Sequence, residues 1–170
     1  MAQQKAEGAA LPGGVDPENA LILETGPGTI IVKLLTDIAP RHAERMRLLA
    51  REQFYDDVPF HRVIDGFMAQ TGDGQHGDGT GGSNHPDLKA EFSKVPFKRG
   101  TVGMARTSNP HSANSQFFIM FDEGDFLNGQ YTVVGEVVSG MDVVDKLKRG
   151  EPPSDPDRIV HMHVAADVKE

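Results

Sequence analysis

From Leu21 onward the apolar residues fall into short, closely spaced runs. LILET and TIIVKLL lie on either side of Gly26-Pro27-Gly28, and β-branched runs around such a turn cluster predict a hairpin. Between Ala39 and Phe54 the period lengthens. Ala43, Met46 and Ala50 share one face, Leu49 and Phe54 lie beside it, and Pro40 suits a first helical turn. The pattern predicts an amphipathic helix whose Arg41, Arg45, Arg47 and Arg51 form a solvated face. A second, shorter helix is expected over Met141 to Arg149, with Val143, Val144 and Leu147 on one side, basic residues in the last turn and Gly150 to stop it. The remaining apolar segments read as strands: FHRVI, FMAQT, TVGMA, QFFIM, YTVVGEVV and RIVHMHVAADV. In the last, Val160, Met162, Val164, Ala166 and Val168 are expected to share a face. Many strands joined by short turns, with only two helices, predict a mostly β fold, an antiparallel sheet closed into a barrel.

Outside these elements two segments lack periodicity. Residues 1–18, poor in large apolar side chains and rich in Ala, Gly and Pro, read as a flexible N-terminal tail, leaving 19–170 as one domain. Gly72 to Pro86, GDGQHGDGTGGSNHP, is too glycine-rich to bury a core and reads as a functional or mobile loop. At 170 residues and 38% hydrophobic content the chain can build one core but not comfortably two. A formal net charge of −8 argues against tracking nucleic-acid phosphates or an anionic membrane surface. The absence of cysteine excludes disulfides, thiolate nucleophiles and cysteine metal sites. No apolar run approaches the roughly 18 residues of a membrane span, and no secretory leader is legible. A cytoplasmic monomer is expected, or a periplasmic protein if a leader has been removed.

Chemistry concentrates on two strands. In FMAQT, Met68 and Gln70 share a face while Ala69 turns away; in SQFFIM, Gln116, Phe118 and Met120 share one face and Phe117 and Ile119 take the other. Each strand so presents an amide beside apolar groups. With Arg62 nearby they would suit an apolar ring attached to a peptide backbone, as proline is. Taken singly, Phe and Met at alternating positions are core residues, Gln is a surface residue and Arg62 is half of a salt bridge.

Together they carry a resemblance. FHRVIDGFMAQTGD, GTGGS, GTVGMAR, NSQFFIM and FLNGQYTVVGEVVSGMDVVDKL stand in the order and at the spacing of the cyclophilins, over nearly the whole span from Leu21 to Val168. The resemblance implies a closed antiparallel eight-stranded β-barrel capped by two α-helices. It also implies peptidyl-prolyl cis-trans isomerase activity that assists protein folding, with no cofactor and no metal. It gives Arg62 the catalytic role, and substrate binding to Phe67, Met68, Gln70, Ala105, Arg106, Gln116, Phe118, Phe126, Leu127 and Tyr131. The partners implied are proline-containing polypeptides, without nucleic acid or membrane. Three positions depart from the commonest family pattern: Phe126 for Trp, Tyr131 for His and Arg106 for Asn. The Trp position is implied to contribute to cyclosporin binding, and Phe offers no indole N–H, so weak cyclosporin binding is expected.

Other motifs in the chain lack the context their chemistry needs. Gly72 to Gly77 spells G-x-G-x-x-G, but a dinucleotide site needs a helix directly after it. His161 and His163 share a strand face without a carboxylate at ligand spacing, and no nucleophile elbow surrounds Ser83 or Ser115. The alternative from another class is a non-catalytic proline-binding or chaperone module on the same fold.

Overall fold

The computed structural model describes residues 11–167. Nine antiparallel strands form one sheet: β1 (Ala20–Thr25), β2 (Thr29–Leu34), β3 (Val58–Pro59), β4 (Arg62–Ile64), β5 (Met68–Thr71), β6 (Thr101–Met104), β7 (Phe117–Met120), β8 (Val133–Ser139) and β9 (Arg158–Val164). Their spatial order is β3-β9-β1-β2-β8-β6-β7-β5-β4. The expected closed eight-stranded barrel is therefore corrected to a curled, open sheet of nine. Its edge strands β3 and β4 do not pair with each other. They are joined by the chain itself through Phe60-His61, and among the described residues the outer side of β4 meets only a single bridge, between Val63 and Gly150. A two-residue strand such as β3 leaves no alternation to read, which is why the ninth strand escaped the sequence.

Two helices are present as expected. α1 (Pro40–Arg51) has Pro in its first turn and no capping side chain at Ala39. Glu91, distant in sequence, supplies the cap by accepting from the backbone N–H of Arg41 (3.3 Å) and His42 (3.0 Å), a carboxylate at the positive end of the helix. The buried His42 ring also bonds Glu91 through Nδ1. Burial holds the His42 imidazole below its ordinary range, with Glu91 opposing that shift. α2 (Met141–Val144) is shorter than the nine-residue pattern, its last turn continuing as irregular turns toward Gly150.

The solvated arginine face of α1 is also corrected at one position. Arg45 is buried, its Nη2 donating to Pro86 O (2.7 Å) and its Nη1 to Asn114 O (3.3 Å). A guanidinium that satisfies backbone carbonyls of a loop can be buried where an unpaired one could not.

Period-two alternation sorts side chains into two clusters. On the side covered by the helices, Val63, Ala69, Val102, Phe117 and Ile119 pack with Met46, Leu49, Val143 and Val144. On the opposite side, Met68, Phe97, Phe118, Met120, Leu127 and Val133 form a second cluster. The expected face partition of β5 and β7 is the observed one. β9 differs, because a register shift opposite Glu24/Thr25 breaks its alternation. Ile159, Met162 and Val164 are buried, while Val160 is thrown outward at 61% exposure. Ala166 lies in a 3-10 turn beyond the strand, and Val168 is outside the described residues.

Of the expected tail, residues 1–10 also lie outside the described residues. Leu11 and Val15 pack on a small cluster of Ala20, Ile22, Ile31 and Ala165. The one-domain division at 19 thus has apolar contacts reaching a few residues before it.

Candidate active site

The second cluster ends in an open cavity of ≈ 130 Å³ lined by Arg62, Phe67, Met68, Gln70, Ala105, Arg106, Phe118, Leu127 and Tyr131. Phe118 and Met68, 5% and 1% exposed, form its base. The cross-strand partners Arg62↔Gln70, Gln70↔Phe118 and Gly103↔Phe118 bring β4, β5, β7 and β6 to one spot. Phe118 stacks on Phe97 at 5.8 Å and meets Tyr131 edge-on at 5.9 Å. This ring packing requires Gly103: a Cβ there would stand 2.6 Å from both Phe118 and Phe97. A larger residue in β6 would push Phe118 into the space left for a ligand.

Above this apolar base a polar relay runs along one wall. Arg62 Nη1 donates to Gln70 Oε1 (3.4 Å), Gln70 Nε2 donates to Gln116 Oε1 (2.9 Å), and Gln116 Nε2 donates to Gly79 O (2.9 Å) and Gly81 O (2.8 Å). Both glutamines are thereby oriented, whereas the long first link leaves the guanidinium able to turn. Arg62 Nε also lies 3.4 Å from Glu151 Oε1, an exposed pair of little energetic weight. Behind Arg62 the buried His61 ring is held below its ordinary pKa by burial; Asp73 opposes this and the Arg62 charge reinforces it. A neutral His61 adds no second cation beside Arg62.

Ten positions implied by the resemblance for binding are thus placed as follows. Phe67, Met68, Gln70, Ala105, Arg106, Phe118, Leu127 and Tyr131 line the cavity with Arg62. Gln116 stands one step back, in a neighbouring cavity of ≈ 140 Å³ that shares Gln70, Ala105 and Arg106. Phe126 sits on a 3-10 turn (Asp125–Leu127), 69% exposed, its ring 5.5 Å from that of Phe67. It is a rim residue and not part of the cavity base.

Residue-level reading of the sequence missed Asp73. Its carboxylate, 1% exposed, accepts five backbone N–H bonds. Oδ1 takes Gln75 (3.1 Å) and His76 (2.9 Å), and Oδ2 takes Asp78 (3.2 Å), Gly79 (2.9 Å) and Gly81 (2.9 Å). Burial pushes this carboxyl up, but the donors of His76, Gly81, Gly79 and Asp78 outweigh it and hold it far below the carboxylate range. The long glycine loop is therefore a wound, anchored structure. Asn114 anchors its far end, accepting from Ser83 N (2.8 Å) and donating to His85 O (2.9 Å). An Asp followed by glycines is the available signal, since such carboxylates bond backbone N–H groups a few residues on.

The competing motifs are absorbed into structure. No helix follows Gly77, and the Gly72–Gly77 amides that bond Asp73 are committed to it. Ser115 Oγ donates to Gly72 O (2.7 Å) inside the core, and Ser83 Oγ to Asn114 Oδ1 (2.6 Å). His161 bonds Asp56 through Nδ1 (2.9 Å) and stacks on His163 at 5.1 Å.

An apolar pocket beside an arginine, on this sheet, has the shape and chemistry to suit a small ring next to peptide backbone. Comparison with known proteins agrees. Residues 20–164 match the family described as "Cyclophilin type peptidyl-prolyl cis-trans isomerase/CLD". A probable peptidyl-prolyl cis-trans isomerase of Brucella suis is 57% identical over 169 residues, covering 91% of this chain and 86% of that one. A crystal structure of a cyclophilin from Hirschia baltica superposes with a TM-score of 0.86 at 30% identity, over 99% of this chain and 83% of that one. A cyclophilin-type isomerase of Cryptosporidium parvum, crystallised in the presence of the dipeptide Ala-Pro, gives 0.79 at 25% identity, over 85% and 98% of the two chains. The chain belongs to the cyclophilin-type peptidyl-prolyl cis-trans isomerases.

Proposed function

We propose that Arg62 is the catalytic residue of this isomerase and that the cavity above Phe118 holds the proline ring of polypeptide substrates. The observation that carries the assignment is the position of a permanently charged donor at the lip of an apolar cavity of ≈ 130 Å³, with the relay leaving most of its N–H groups free. A prolyl bond faces a rotation barrier of about 18–20 kcal/mol because its nitrogen lone pair is delocalised into the carbonyl. Rotation needs no nucleophile, acid or base; it needs the lone pair kept on nitrogen. A guanidinium hydrogen bond to the pyramidal nitrogen exists only in the twisted state, so it speeds the step and does not merely tighten binding. The dry base of Met68 and Phe118 removes the water that favours the planar dipole, and Gln70 holds backbone on one side of the rotating bond.

The test is acceleration of cis/trans exchange in a short Ala-Pro peptide, read by NMR exchange spectroscopy. Exchange enhanced by catalytic amounts of protein is expected. Binding without acceleration would instead support the peptide-binding or chaperone alternative.

Cyclosporin is proposed as a weak ligand of the same cavity, supported by Phe126, which packs on Phe67 yet has no N–H to donate. Phe126→Trp should strengthen binding roughly tenfold, the worth of about one hydrogen bond. The residue is a solvated rim group, so folding should be unaffected. Equal affinities by isothermal titration would remove Phe126 as the cause.

A cytoplasmic monomer is proposed as the working form. It is supported by the acidic net charge and by the large exposed apolar residues Leu48, Phe92, Phe126 and Val160 lying on four different segments. Light scattering should give the single-chain mass of 18.4 kDa, and a dimer mass would overturn it.

A further inference from the structure

We infer that Arg106 gives this isomerase a preference for substrates with an acidic side chain flanking the proline, on the side that runs along Ala105–Thr107. The inference rests on the cavity above Phe118 being the proline site. Arg106 lines both that cavity and its ≈ 140 Å³ neighbour, so a peptide seated in the first and extending into the second passes this residue.

Three features make the group suited to reading charge. First, it is held in place. The guanidinium carbon lies 4.4 Å from the centre of the Tyr131 ring, Nε and Nη2 donate to Gln130 O (3.2 and 2.7 Å), and Nη1 donates to Thr107 O (2.8 Å). A cation already fixed by its own protein loses little freedom when a ligand carboxylate arrives.

Second, its charge is uncompensated. Its three bonds go to neutral carbonyls, which leave N–H groups to spare, and among the described residues no carboxylate lies within 4.0 Å of it. The other cation at the site, Arg62, has Glu151 beside it. In a chain of net charge −8, an unpaired arginine at the junction of two cavities is a local reversal of sign.

Third, the neighbouring cavity is hydroxylic and amidic where the proline cavity is apolar. Thr80, Thr107, Ser112, Asn114 and Gln116 line it. Those hydroxyls and amides are bonded to neighbouring protein groups, Thr80 and Asn114 to Asp78 and Asp87, so the attraction for an entering carboxylate comes from Arg106 itself. A basic side chain would meet the Arg106 charge without compensation.

The experiment uses the whole protein with peptides Xaa-Ala-Pro-Phe and Ala-Pro-Phe-Xaa, Xaa being Glu, Gln or Lys. Catalysed exchange is followed by NMR, and affinity is read separately from chemical-shift titration. The order Glu over Gln over Lys is expected in one of the two series only. Each step should be about fivefold, the range of one partly solvated ion pair, and should shrink in 1 M salt. In Arg106→Gln the Glu/Gln ratio should fall to about one. Arg106→Lys, which keeps the charge without the fork, should retain part of it. Equal Glu and Gln values in the wild type would overturn the inference, as would a preference that persists unchanged in Arg106→Gln. A Gln peptide that is bound but not turned over would count against catalysis by Arg62 instead, and the titrated affinities would still decide for or against Arg106.

Discussion

Replacing Arg62 with alanine should lower catalysed exchange of a prolyl peptide by about ten- to a hundredfold while leaving the fold as stable as before. The size follows from one interaction. A hydrogen bond to a charged donor is worth roughly 1.5–3 kcal/mol, and each 1.36 kcal/mol is about tenfold in rate. The remaining acceleration is expected from the apolar base of Met68 and Phe118, which the substitution leaves in place. Stability should be spared because Arg62 is exposed and its two side-chain partners are both at 3.4 Å. Arg62→Lys is the sharper test. It keeps the charge but loses the planar fork that reaches Gln70 and the substrate together, so it too should fall at least tenfold. Binding of the peptide should weaken far less than turnover in both variants, since the interaction belongs to the twisted state. Exchange rates equal to wild type would end the assignment of Arg62.

Asp73→Asn should cost roughly 3 kcal/mol of stability and lower turnover besides, although Asp73 does not line the cavity above Phe118. Its carboxylate receives five N–H donors with nine-tenths or more of the side chain buried. Asparagine offers one oxygen, and its NH₂ must face N–H groups whichever way the amide is turned. The loop then loses its winding. With it go the Gly79 and Gly81 carbonyls that fix Gln116, and through Gln116 and Gln70 the orientation of Arg62.

The acid behaviour follows with a definite sign. The folded-state pKa of Asp73 is depressed. Its contribution is therefore fully present above the unfolded value near pH 4 and is lost as pH falls from there toward the folded value. Wild type should lose denaturant resistance on that acid limb, and Asp73→Asn should start lower and follow a flatter limb. Identical midpoints at neutral pH and identical acid limbs would refute the role given to Asp73.

Local periodicity explains what could be read in advance. The β1–β2 hairpin, α1 and the two faces of β5 and β7 each follow from residues within a dozen positions of one another. The cavity-lining set needed more, because Met68 and Phe118 read singly as core, and both are in fact nearly inaccessible. Their shared face with Gln70 and Gln116 suggested a pocket, and their order among other motifs strengthened that reading. What escaped depended on distant partners. Arg45 is buried because Pro86 and Asn114 offer carbonyls to it, and Val160 faces outward because β9 slips its register against β1. Asp73 sits in a segment that composition marks as loop, and no period reveals that a carboxylate can organise one from within. The open ends of the sheet were equally hidden, since nothing in β3 or β4 alone states which neighbours they lack.

The strand order also sets a timetable. β4 to β7, which carry Arg62, Gln70 and Phe118, are drawn from one continuous stretch of chain, whereas β1 must wait for β9, its partner from Leu21↔Val164 to Thr25↔Ile159. During synthesis β4, β5, β6 and β7 can pair while β1 still lacks a partner not yet made. Pairings across so long a separation are slow to form. A cyclophilin-type isomerase of this topology therefore closes its own sheet last, at the seam between its first long strand and its final one.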